Sequence, residues 1–380
     1  MKNLKQKIIL GLISFGLLLV GATSGFNNSS NESIKENTYE ILDESENLDK
    51  NNEANNGIHI MLERPSLNLS GAGTSTSPYL INNLDDFKDF ATYINGVPVA
   101  SRTYAYYLLT ADITINYNHY ISVGKNEDYA FKGSFSGQDA SDPTKSHKIS
   151  ITYPFTLNEE SASLDRDHFY GLFGCVNDAC FEYLDVVANL YLNYLTDSSG
   201  DFGLVYFGGL FGGTGTVSSS LNNVNVNSTL SVESMEPASE DVLGDALYLG
   251  GIAGVAKIKE ISNSTLTSNI KCFDELNEKH YTSINNSNIT PFASVTYFMK
   301  AIANASIGGA FGKLIFDNAT NVYSMNNKFN VGSFSIGANN SYFLIYKCNV
   351  GLFVGELANT ADETTLKLNE FTFSNISIKL

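Results

Sequence analysis

The chain has 380 residues, enough for two ordinary domains or one long repeat domain. Its 23 basic and 40 acidic side chains leave a net charge of −17, which argues against nucleic acid or an anionic membrane as the main partner, since both need basic patches. That charge suits a soluble, self-repelling surface.

Residues 1–24 read as a secretory signal. Lys2, Lys5 and Lys7 supply a basic start, Ile8 to Val20 is an apolar core too short to span a membrane comfortably, and Gly21-Ala22-Thr23-Ser24 suits cleavage. The alternative is an uncleaved N-terminal anchor, which would be the chain's only membrane attachment. Residues 25–65 form an acidic linker. Eight acids (Glu32, Glu36, Glu40, Asp43, Glu44, Glu46, Asp49, Glu53) face Lys35 and Lys50, and such a segment buries too little to offset its ordering entropy.

Residues 66–103 are expected to form an N-terminal cap. After Gly71-Ala72-Gly73 and Tyr79-Leu80-Ile81 comes a helix. Asn83 caps it, Leu84, Phe87, Phe90, Ala91 and Ile94 fall on one face, and Asn95-Gly96 ends it. From Tyr104 onward the pattern is β. Tyr106 to Leu109 leads to Asp112-Ile113-Thr114-Ile115, then to Phe131-Lys132-Gly133-Ser134-Phe135-Ser136-Gly137. A polar loop, Gln138 to Ser146, precedes His147-Lys148-Ile149-Ser150-Ile151.

A tetrad then recurs: Gly171-Leu172-Phe173-Gly174, Gly209-Leu210-Phe211-Gly212, Gly251-Ile252-Ala253-Gly254, Gly309-Ala310-Phe311-Gly312 and, more loosely, Gly351-Leu352-Phe353-Val354-Gly355. The spacings of 38, 42, 58 and 42 lie in the range of solenoid repeats. Strand alternation would put the Leu172, Leu210, Ile252, Ala310 and Leu352 column on one face and the Phe173, Phe211, Ala253, Phe311 and Phe353 column on the other. After the first copy Leu184, Val186, Ala188, Leu190 and Leu192 alternate with polar residues. After the second, Val224, Val226, Ser228, Leu230 and Val232 do the same. One unit cannot bury its apolar face alone, whereas stacked units cover one another. The expected fold is therefore all-β, a right-handed parallel β-helix (solenoid) over 104–380 with an N-terminal capping helix.

The order of these pieces resembles the GLUG-motif proteins: Tyr79-Leu80-Ile81 before the Leu84–Ile94 helix, the Leu108–Ile115 strand region, Phe131-x-Gly-x-Phe-x-Gly, His147-x-Ile149-Ser150, and the returning Gly-Leu-Phe-Gly. The resemblance covers residues 71–380. It implies a secreted bacterial protein with a pectin-lyase-like fold, of a kind found among surface adhesins and stalks. This chain differs in carrying Ser136 at the family's usual Asp, in the 138–146 loop, and in a long insertion, Phe273 to Ala305.

No catalytic, cofactor-binding or metal residue is assigned, and no cofactor is expected. The best acid–base cluster is Asp165-Arg166-Asp167-His168, which also reads as a solvated corner with a local ion pair. His-Glu-x-x-His is absent. His147 sits at a strand entry and reads as structural, and His280 as exposed in the insertion. His59 and His119 lack close partners in sequence. Asp197 and Asp201, in one loop, could hold an ion. Of four cysteines, Cys175 and Cys180 could close a local bridge, or all four, with Cys272 and Cys348, are small buried hydrophobes.

The expected function is non-catalytic adhesion or interaction, with an extracellular protein or glycan as partner, through the loops Glu233–Ala246 and Phe273–Ala305. The alternatives are a carbohydrate-active enzyme on the same fold and a structural spacer or envelope component.

Overall fold

The computed structural model describes residues 65–157, 167–194, 203–234, 244–272, 301–316, 323–325, 327–336, 344–359, 370–373 and 376–378. The signal segment, nearly all of the acidic linker, most of the loops 233–246 and 273–305, and His59, Asp165, Arg166, Asp197, Asp201 and His280 lie outside the described residues.

The first strand, β1 (Tyr79–Ile81), leads into α1 (Leu84–Gly96), the one α-helix among the described residues. Asn83 Oδ1 accepts the amides of Asp85 (2.9 Å) and Asp86 (3.0 Å), satisfying two donors that a helix start leaves open. Asp85 and Asp86 place negative charge at the positive end of the helix dipole. Phe87, Phe90, Ala91 and Ile94 are buried along one face. Phe90 sits against Tyr107 (4.7 Å between ring centroids), Phe135 (5.6 Å) and Phe131 (5.8 Å), so α1 closes an aromatic end of the core.

The strands follow in order: β2 (Ala105–Leu109), β3 (Ile113–Ile115), β4 (Phe131–Ser136), β5 (His147–Leu157), β6 (His168–Tyr170) and β7 (Phe173–Tyr194). Next come β8 (Leu204–Gly208), β9 (Phe211–Thr214), β10 (Ser219–Ser234), β11 (Gly244–Gly250), β12 (Ala253–Ser262) and β13 (Thr265–Cys272). The last are β14 (Ala301–Gly308), β15 (Phe311–Phe316), β16 (Tyr323–Met325), β17 (Lys328–Ile336), β18 (Leu344–Gly351), β19 (Val354–Asn359), β20 (Glu370–Phe373) and β21 (Ile376–Ile378).

They make two sheets, one of five strands in the order β18-β14-β11-β8-β6 and one of sixteen. Each tetrad is the bend that carries the chain from the smaller sheet to the larger. Gly208, Gly250, Gly308 and Gly351 end successive strands in register. Across the bend Phe173 pairs Phe211, Phe211 pairs Ala253, and Ala253 pairs Phe311, all parallel.

The expected right-handed parallel β-helix is corrected by the rest of the pairing. β7 pairs β9, β9 pairs β12, β12 pairs β10, and β10 pairs back to β7. Four parallel strands thus close on themselves as a barrel, from which further strands branch. The cause is strand length. β7 runs 22 residues as one strand, turning at Asp178 (φ +54°) and Tyr183 (φ +49°), so its start pairs β9 while its remainder pairs β10.

The face assignment within the tetrad is corrected too. Leu172 and Phe173 are both fully buried, as are Leu210 with Phe211 and Ala310 with Phe311. The backbone bends between the two residues, so both columns turn inward instead of alternating. Their amides bond along the stack: Phe173 N donates to Leu210 O (2.8 Å) and Leu210 N to Ile252 O (2.9 Å). The alternation read in the following strands does hold. Leu184, Val186, Ala188, Leu190 and Leu192 of β7 are buried, as are Val224, Val226, Ser228, Leu230 and Val232 of β10.

Candidate functional site: a polar face and its groove

The outward residues of β5, β7, β10, β13 and β17 fall into three columns. The first runs Lys148, Asp185, Asn225, Thr265, Lys328. The second runs Thr114 of β3, then Ser150, Val187, Asn227, Thr267, Asn330 and Thr372 of β20. The third runs Thr152, Asn189, Thr229, Asn269, Ser333. Neighbouring parallel strands lie about 4.8 Å apart, which lets an amide or hydroxyl reach the next rung. Asn225 Nδ2 donates to Asp185 Oδ1 (2.6 Å), Ser333 Oγ to Asn269 Oδ1 (3.0 Å), and Thr372 Oγ1 to Asn330 Oδ1 (3.0 Å). These ladders hold the side chains in ranks and leave part of each group's bonding capacity to solvent.

At one end the face deepens into an open groove of about 560 Å³. Its floor is Ser150 and Thr152 of β5 with Val187 and Asn189 of β7. Its wall is the segment Asn116-Tyr117-Asn118-His119 that leaves β3, together with Tyr153 and Pro154. Tyr120 anchors that wall. Its ring is fully buried, lies edge-on to both Tyr117 (5.8 Å) and Tyr153 (5.7 Å), and its hydroxyl donates to Leu172 O. Burial pushes the Tyr120 phenol well up, with the neighbouring Tyr117 adding to it. Burial, then the proximity of Tyr153, pushes Tyr117 up to about 12, so it is a neutral hydrogen-bonding group at any physiological pH. His119 is exposed at φ +63°, a conformation that side chains rarely take.

Among the described residues no Asp, Glu, Lys or Arg lines the groove. Among the described residues no group of three or more His, Cys, Asp and Glu is placed to hold a metal ion. Of the acid–base cluster, Asp167 Oδ2 accepts from the Tyr206 hydroxyl (3.2 Å), and the His168 ring stacks parallel to Tyr170 at 6.2 Å. His147 Nδ1 lies 3.6 Å from Asp112 Oδ1, at the start of β5 as its strand-entry position suggests. Cys175 and Cys180 are free thiols. Cys175 is buried in a small cluster with Ala130 and Phe169, Cys180 is only partly buried, and the strand kinks between them at Asp178, φ +54°.

Sequence reasoning missed the groove. His119 looks partnerless along the chain, and the signal that could have found it is the Asn-Tyr-Asn-His run just after an alternating strand. No known protein family, curated protein or solved structure matches the chain.

Proposed function

We propose that this is a secreted or surface-displayed, non-catalytic protein that attaches to extracellular polymers or cells through its polar sheet face. The observation that carries this is the chemistry of the face. Ranked amides and hydroxyls lead into a groove walled by tyrosine and histidine, with no carboxylate pair among the described residues of its lining. Glycoside hydrolysis by acid catalysis needs two carboxyls flanking the bond, so this lining suits retention of a ligand rather than its cleavage. The secretory reading of residues 1–24 and the resemblance to GLUG-motif proteins support an extracellular setting.

The test is a binding screen of the full chain against immobilised glycans and matrix proteins, with the supernatants assayed for released sugar. Saturable retention on at least one polymer without product release is expected. Absence of retention on every polymer, or release of oligosaccharides, would overturn the reading.

A further inference from the structure

We infer that the groove beside His119 is a saccharide subsite that takes one uncharged pyranose unit of an extended glycan. This rests on the binding role proposed above and names its ligand.

Three features of the groove point the same way. Its floor offers donors and acceptors together, from Ser150, Thr152 and Asn189, and its wall offers aromatic rings, from Tyr117, Tyr153 and His119. A pyranose presents hydroxyls around its rim and C–H groups on its faces, which is the complement of that pairing. With no Asp, Glu, Lys or Arg among the described residues of the lining, a charged sugar would find no counter-charge there, and the net charge of −17 repels polyanions at longer range.

A peptide fits the same floor poorly. Peptides that add to a sheet need a free strand edge. Here β7 is paired on both sides, by β5 and β10, and β5 is paired by β7 along its length and by β3 over Ile149–Ile151. The β5 edge beyond Ile151 is interrupted at Pro154, which has no N–H to donate to an added strand.

The polar face continues past the groove. From Val187 and Asn189 of the groove floor it leads to Asn227 and Thr229, then to Thr267 and Asn269, one strand at a time. The strand spacing of about 4.8 Å is close to the length of one pyranose unit. A glycan seated at His119 would therefore cross the strands, meeting a fresh amide or hydroxyl rank with each sugar.

The experiment is calorimetric titration of the full chain with neutral cello-, xylo- and manno-oligosaccharides and with polygalacturonate. His119→Gly and Asn189→Asp serve as variants. His119→Gly removes the ring at a backbone conformation glycine prefers, so its melting temperature should not fall. The expected result is binding of a neutral oligosaccharide, tightening with length, and weakened about tenfold in each variant. Polygalacturonate preferred over every neutral sugar, or equal affinity in His119→Gly and wild type, would overturn the subsite while leaving polymer binding intact. Binding to a matrix protein but to no sugar would do the same. If the chain binds none of these polymers, the broader reading falls with it.

Discussion

Gly209 lies directly across the interior from Ser228. A Cβ placed on the glycine would stand 2.7 Å from the serine Cβ and 2.5 Å from the carbonyl oxygen of Gly251. The relation repeats one unit on, where a Cβ on Gly251 would meet the Ser268 Cβ at 2.7 Å and the Gly309 oxygen at 2.4 Å. The first glycine of the tetrad is thus required by what faces it. Gly209→Ala should cost about 1–3 kcal/mol or more through overpacking. Adding Ser228→Gly should restore only part of that, because the backbone oxygen remains in the way. Chemical denaturation midpoints of the single and double variants would decide, and full restoration would refute the backbone part of the argument.

The serines in these pairs carry a cost. Ser228 and Ser268 are 0% exposed, and neither Oγ finds a hydrogen-bond partner among the described residues. An unpaired buried hydroxyl is destabilising by about 1–3 kcal/mol. Ser228→Ala and Ser268→Ala keep the small volume that the facing glycines require and remove the hydroxyl. Each should raise the denaturation midpoint without changing its slope. A fall in midpoint would mean that the hydroxyl is satisfied.

A second column runs through Tyr183, Asn223 and Asn263, at φ +49°, +55° and +50°. The chain turns a corner there. Asparagine tolerates this conformation, and a β-branched residue does not. Asn223→Val should cost about 1–2 kcal/mol, whereas Asn223→Gly should stay within a few tenths of wild type. Thermal unfolding of the two variants side by side is the check, and equal losses would show that the side chain matters more than the backbone.

Helix α1 depends on its cap. Removing the Asn83 acceptor should cost about 1 kcal/mol, and Asn83→Asp should retain most of it. Because Phe90 joins α1 to the aromatic end of the core, hydrogen exchange at Tyr107 should quicken along with exchange in the helix. Quickening confined to the helix would separate the two.

The loop Gln138–Ser146 should respond to acid. Asp139 accepts from the Ser141 hydroxyl (2.6 Å) and amide (2.7 Å), and Asp142 accepts from the Thr144 hydroxyl (2.6 Å) and amide (3.1 Å). These bonds, the side-chain ones foremost, hold both carboxyls below the usual range. A depressed folded pKa contributes order that is complete above the unfolded value, about 3.9, and is lost as pH falls through the lowered folded values. Amide shifts of Ser141 and Thr144 should therefore be flat across neutral pH and move only below about pH 4. Movement near neutrality would refute the assignment to these two carboxyls.

The sequence by itself determined whatever depends on neighbours along the chain. The start of α1 at Asn83, its buried face, the alternation of Leu184 to Leu192 and of Val224 to Val232, and the phase of the tetrads follow from local periodicity and capping. Only the tertiary structure decided where long strands bend and what they meet. Both tetrad columns turn inward because the chain kinks between Leu172 and Phe173, which no alternation rule anticipates. β7 closes a ring with β9, β12 and β10 because one 22-residue strand is long enough to have two partners. The groove, finally, joins Asn116–His119 to Thr152 and Asn189, residues separated by tens of positions. Their convergence is set by strand register, a property of pairs of segments that no single segment encodes.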